Sequence, residues 1–136
     1  MTPSTAAALS DLHLMRHEVA HLVANFAWGA RQVIIQRAED GNGYETRAIF
    51  EDSADVSTDA IFGPFLAGRL CAEGINTAHD EAVIAALAPA DVARLWQVCC
   101  EVVKPQLDAI GDDTLARMLA TIDSCGAILV EREPLQ

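Results

Sequence analysis

The sequence predicts an α+β fold, mainly helical, with a small β-hairpin or sheet set against its first helix. Three observations predict it. Apolar residues recur at helical spacing over most of the chain, and a β-branched run flanked by turn formers occurs between residues 33 and 50. The 136 residues, 51% of them hydrophobic, suit one packed domain spanning 1–136 rather than a disordered chain.

The first helix is expected from about Ala6 to Trp28, with Gly29 as a stop signal. At 100° per residue, Leu12, Met15, Val19, Leu22, Val23 and Phe26 share one side, whereas His13, His17, His21 and Ala24 share the other. Val33 to Arg37, the turn cluster Asp40-Gly41-Asn42-Gly43 and Tyr44 to Phe50 read as a hairpin. Glu51 to Ser57 reads as a loop, and Ser57 or Thr58 can cap a second helix running to about Glu73 and ended by Gly74, with Gly63-Pro64 bending it.

After a connection at Ile75 to Ala78, Asp80 to Leu87 has helical spacing through Val83, Ile84 and Leu87. Pro89 suits a first helical position. The fourth helix it opens continues through Leu95, Trp96, Cys99 and Val103 until Pro105 kinks or ends it. Asp112 or Asp113 can cap a fifth helix ending at Gly126, and Ala127 to Val130 is a short strand or plain extended chain.

Composition narrows the function classes. Nine Lys and Arg against 20 Asp and Glu give a net charge of −11, which repels phosphate backbones and anionic lipid, so nucleic acid is not an expected partner. Asn25, Arg31, Arg69 and Glu73 interrupt the apolar segments, so no membrane insertion is expected. Met1 to Ser10 lacks the basic flank and apolar run of a secretory signal, which makes the cytoplasm the default location. Cys71, Cys99, Cys100 and Cys125 show no CxxC spacing and are expected as reduced thiols, the Cys99-Cys100 pair as small buried hydrophobes. Trp28 and Trp96 are expected as core anchors.

The chemistry sits in His17-Glu18-Val19-Ala20-His21, an HExxH pattern inside the strongest helical segment. Residues four apart on a helix stack on one face, so two neutral imidazoles can reach one Zn²⁺ at about 2.0–2.1 Å. Glu18 projects beside that position and suits a general base, taking a proton from water activated by the metal as the water attacks a carbonyl. A pair made by His13 and His17 is geometrically possible as well. A third protein ligand is needed, and Asp80, His79, Glu73 and the acids of the 51–59 loop are all candidates by chemistry. Glu73 is alternatively a plain surface acid or an acceptor for a ligand histidine.

His17-Glu18-Val19-Ala20-His21-Leu22-Val23-Ala24, followed by Gly29 and Val33-Ile34-Ile35, resembles the peptidase domain of the FtsH-type ATP-dependent membrane proteases, in which a HEAGHA-like helix leads into a hairpin. Phe65-Leu66-Ala67-Gly68-Arg69-Leu70-Cys71-Ala72-Glu73 resembles the family's LAGRAAE-like helix, and Asn76-Thr77-Ala78-His79-Asp80 its GASND-like segment. The similarity spans Leu12 to Leu87. It implies a zincin-like metallopeptidase domain in which His17, His21 and Asp80 hold zinc, Glu18 is the catalytic base, and peptide or unfolded protein is the substrate. The outer strand, Tyr44 to Phe50, is then placed to align an extended peptide.

The departures are equally specific. Val19 and Ala20 replace the family's Ala-Gly pair, and His79 stands where Asn is usual, next to Asp80. No Walker-type phosphate loop occurs in these residues, so processive proteolysis does not carry over. The competing readings are a catalytically inactive zinc-binding regulatory or adaptor protein of the same fold, and a metal-free helical interaction module.

Overall fold

The computed structural model describes residues 5–39, 43–51, 56–71 and 78–131, with side chains described for all of these except 5–10, 71, 78 and 79. It is mainly helical with one small antiparallel sheet, the α+β class expected. Among the described residues no helix is long and apolar enough to cross a membrane.

Helix α1, Thr5–Ala27, runs through the middle of the structure. Met15, Val19, Leu22 and Val23 are buried as the spacing predicts, but so are Ala20 and Ala24 on the histidine side. Both sides of the helix are therefore packed. Those alanines are small enough for a neighbouring helix to pack closely, so the second side is buried from His17 to Ala24 apart from the half-buried His21, while His13 remains exposed. Gly29 ends the helix at φ 103, a backbone region that favours glycine, and the Ala30 N–H returns to the Asn25 carbonyl at 2.9 Å.

Strands β1, Gln32–Arg37, and β2, Tyr44–Ile49, pair antiparallel from Gln32↔Ile49 to Arg37↔Tyr44. The turn residues Asp40 to Asn42 lie outside the described residues. Strand β3, Ala127–Glu131, pairs antiparallel with the other edge of β1, so the tail is a strand and the sheet order is β2-β1-β3. Val33 and Ile35 point into the core and are fully buried, the period-2 alternation of a sheet covered on one face.

Ser57 caps α2, Thr58–Ala67, its side chain accepting from the Ala60 N–H at 3.1 Å. This helix stops earlier than expected, at Ala67, and passes into a 3₁₀ turn, Gly68–Cys71. Residues 72–77, including Glu73, Gly74, Asn76 and Thr77, lie outside the described residues. Helix α3, Ala78–Ala85, begins two residues before the expected Asp80, which puts Asp80 and Glu81 in its first turn, where the helix dipole favours carboxylates.

Pro89 opens α4, Pro89–Val98, as expected. The anticipated break at Pro105 takes a specific form, a π turn at Cys99–Val103 followed by α5, Lys104–Asp108. Pro105 donates no N–H and its ring crowds the preceding turn, and widening that turn so that the Lys104 N–H reaches the Cys99 carbonyl accommodates it. Helix α6, Asp112–Cys125, is capped at Gly111 rather than at Asp112 or Asp113, both of which sit in its first turn, and ends on Gly126 at φ 87.

The core gathers Met15, Ile35, Leu66, Leu107, Leu115 and Ile122, with Trp28 and Trp96 packed against it. Cys99 is fully buried but Cys100 is exposed, so the small-hydrophobe expectation holds for Cys99 alone. Successive residues of a helical backbone point about 100° apart and cannot both face the core.

Candidate metal centre

Three side chains from two distant elements meet beside the middle of α1. His17 and His21 come from α1, one turn apart, and Asp80 from the first turn of α3. Their nearest atoms form a small triangle: His17 Nε2 lies 3.0 Å from His21 Nε2, and Asp80 Oδ2 lies 3.2 Å from the first and 3.4 Å from the second. His17 is 6% exposed, so the cluster is set back from bulk water.

Backbone chemistry orients one ring. His21 Nδ1 donates to the Pro64 carbonyl at 2.6 Å. That carbonyl is accessible because α2 tightens after Ala67 and the Gly68 N–H turns to the Leu66 carbonyl instead. A carbonyl only accepts, so Nδ1 carries the proton and a neutral His21 presents the Nε2 lone pair to the cluster. His17 Nδ1 is buried without a hydrogen-bond partner among the described residues.

The triangle thus contains an imidazole lone pair, a second imidazole nitrogen and a carboxylate oxygen, all facing inward. Acceptor atoms at such separations repel unless a shared cation, proton or metal, lies among them. Ligand atoms placed about 2.0–2.1 Å from a tetrahedral zinc stand about 3.3–3.4 Å apart, close to the observed edges. Two imidazoles and a carboxylate are also a donor set of the three-ligand, open-site type. The residues present therefore fit a divalent ion.

The electrostatics follow from the same contacts. Burial pushes the Asp80 carboxyl up, but in the metal-free site hydrogen bonds from His17 and His21 and the charge of the rings when protonated outweigh it and hold Asp80 well below the usual carboxylate range. Burial lowers His21, yet the Asp80 hydrogen bond and the Glu18 charge leave its pKa raised overall. Glu18, between the two histidines in sequence, is raised by burial, with His21, the Thr46 hydroxyl and His17 opposing in part. Thr46 donates its hydroxyl proton to Glu18 Oε2 from β2, tying the sheet to the site.

A second pair steadies Asp80. Arg69, next to Gly68, grips Glu81, next to Asp80, through Nε at 2.9 Å and Nη2 at 2.7 Å. This fork joins the 3₁₀ turn to α3 on both sides of the site, although its exposure keeps its energy modest.

Of the other candidates weighed for coordination, His13 is exposed and outside the cluster, and Asp59 pairs with Arg94. Glu51 is exposed. Glu73, Asp52, Asp55 and the His79 side chain lie outside the described residues. Sequence reasoning gave Pro64, Gly68, Thr46 and Glu81 no role in the site, Pro64 being read only as a bend in the second helix. Gly68 and Arg69 stood inside a matched segment, but nothing in spacing reveals that a carbonyl or a missing side chain matters. No protein-family model matches the chain, and no curated protein and no solved structure shows significant similarity to it.

Proposed function

We propose that this protein is a zinc-dependent hydrolase of peptide bonds, a zincin-like domain related to the FtsH-type peptidases, with His17, His21 and Asp80 as zinc ligands and Glu18 as base. One observation carries the proposal: donor atoms from residues 17, 21 and 80 converge to within 3.0–3.4 Å, with the half-buried Glu18 carboxyl beside them. HExxH supports it independently, because the pattern demands a base between two ligands and this Glu is held by a strand rather than left to solvent.

A zinc ion bound there supplies Lewis acidity, polarising a carbonyl and lowering the pKa of water. The remaining work falls to the chain. Glu18, with a pKa raised by burial, accepts the proton of the attacking water and returns it to the departing amine. The Thr46 hydroxyl holds one Glu18 oxygen and leaves the other for that transfer. Strand β2 pairs only with β1 among the described residues, and its outer edge beside Glu18 suits an extended peptide or unfolded segment.

The test is hydrolysis of an unstructured fluorogenic peptide library by zinc-loaded protein. Wild type is expected to cleave, and Glu18→Gln to retain one zinc per chain without cleaving. Stoichiometric zinc with no cleavage by wild type transfers the protein to the non-catalytic, regulatory or adaptor reading. No stoichiometric zinc removes both.

A further inference from the structure

Gly68 stands at the junction of α2 and the 3₁₀ turn with φ −57 and ψ −29, an ordinary right-handed helical conformation. Any L-residue adopts it, so backbone freedom does not call for glycine there. The space around its Cα does. A Cβ built at Gly68 would lie 2.7 Å from His17 Cε1, 2.9 Å from Asp80 Oδ2 and 3.3 Å from His17 Nε2. Two of those atoms belong to His17 and one to Asp80, two of the three converging side chains.

We infer that Gly68 is a positioning residue for the metal centre: its bare Cα forms one wall of the site and lets His17 and Asp80 approach each other. This rests on the metal reading above and adds a residue that holds no ligand atom. The physical consequence is selective. The atoms a methyl would strike are ends of side chains, so the cheapest relief is rotation of His17 and Asp80, not displacement of α1 or α3. Rotation of those two groups opens the donor triangle while the helices stay in place. Alanine also has a higher helix propensity than glycine, so the backbone at this position is not weakened.

The experiment titrates purified, metal-stripped protein with Zn²⁺ alone by calorimetry, alongside thermal melts of the metal-free forms followed by circular dichroism. Gly68→Ala is expected to keep the helical spectrum and cooperative melt of the metal-free wild type while its zinc affinity falls about 10- to 100-fold, the range for loss of a residue that orients ligands. Gly111→Ala, at a glycine whose added Cβ meets nothing within 4 Å, serves as the control and should bind zinc as wild type does. Equal zinc affinity in wild type and Gly68→Ala overturns the inference and leaves the metal reading intact. A wild type that takes up no zinc overturns both. If Gly68→Ala does not fold, His17→Ala/Gly68→Ala decides: removing the ring clears two of the three contacts and gives the Asp80 carboxylate space to turn from the methyl, so the double variant should recover the wild-type spectrum, and failure to recover counts against the inference.

Discussion

His21 Nδ1 donates to the Pro64 carbonyl at 2.6 Å, a contact between residues 43 positions apart that selects which imidazole nitrogen faces the site. Pro64 contributes through its carbonyl, which lies in the last turn of its helix. Its helix gives way to a 3₁₀ turn one residue after Ala67, and a carbonyl that a continuous α-helix would use internally serves a side chain instead.

Metal removal and restoration should be visible as stability. With zinc at 100 times its dissociation constant, wild type is expected to gain about 2.7 kcal/mol over the stripped protein, measured by urea midpoints. Asp80→Ala and His17→Ala should gain almost nothing. An equal gain in either variant would place the ion elsewhere.

Replacing Glu18 with Gln keeps the shape and the Thr46 contact but removes the base. Turnover should fall about 10²- to 10⁴-fold, the usual worth of a positioned acid–base group, with zinc stoichiometry unchanged. A parallel loss of zinc would mean that Glu18 is a ligand rather than a base.

The pH dependence has a defined sign. His21 has a raised pKa in the metal-free fold, so its protonation contributes stability fully below its ordinary value of about 6.5, and that contribution is lost as pH rises through the higher folded value. Asp80 is depressed, so its contribution is present above about pH 3.9 and is lost only in stronger acid, as pH falls through the folded value. Zinc competes with the His21 proton, so apparent zinc affinity should weaken as pH drops, beginning above pH 6.5. Calorimetric titrations at several pH values between 5 and 8 check this, and a flat profile would contradict it.

Thiol reactivity separates the adjacent cysteines. Cys99 has no exposed surface, and burial pushes its thiol up to about 12, so it should resist a maleimide in the native protein. Cys100 and Cys125 are exposed and should be modified. Peptide mapping after a brief native-state reaction reads the difference, and early labelling of Cys99 would show that the π turn opens readily.

Core truncation should act on the fold without touching the ligands. Leu107→Ala on α5, where Leu107 is 1% exposed, is expected to cost about 2–5 kcal/mol by chemical denaturation while the folded variant still binds one zinc per chain in the absence of denaturant.

Much of this molecule was legible along the chain because the information was local. Apolar spacing marked α1, Gly29 and Gly126 marked helix ends, Ser57 marked a cap, and HExxH placed His17 and His21 on one helical stripe, all through interactions within a few residues. Only the tertiary structure decided the rest. By spacing alone Asp80 was one of several chemically equal candidates and only the resemblance singled it out, whereas the packing of α3 beside the 3₁₀ turn is what brings its carboxylate to the two histidines; likewise the tail was strand or extended chain until β1 offered it an edge. The same holds for the roles of Pro64, Thr46 and Gly68. Each depends on which backbone atoms lie next to which side chain across tens of residues, and that is set by the packing of whole elements rather than by any spacing along the sequence.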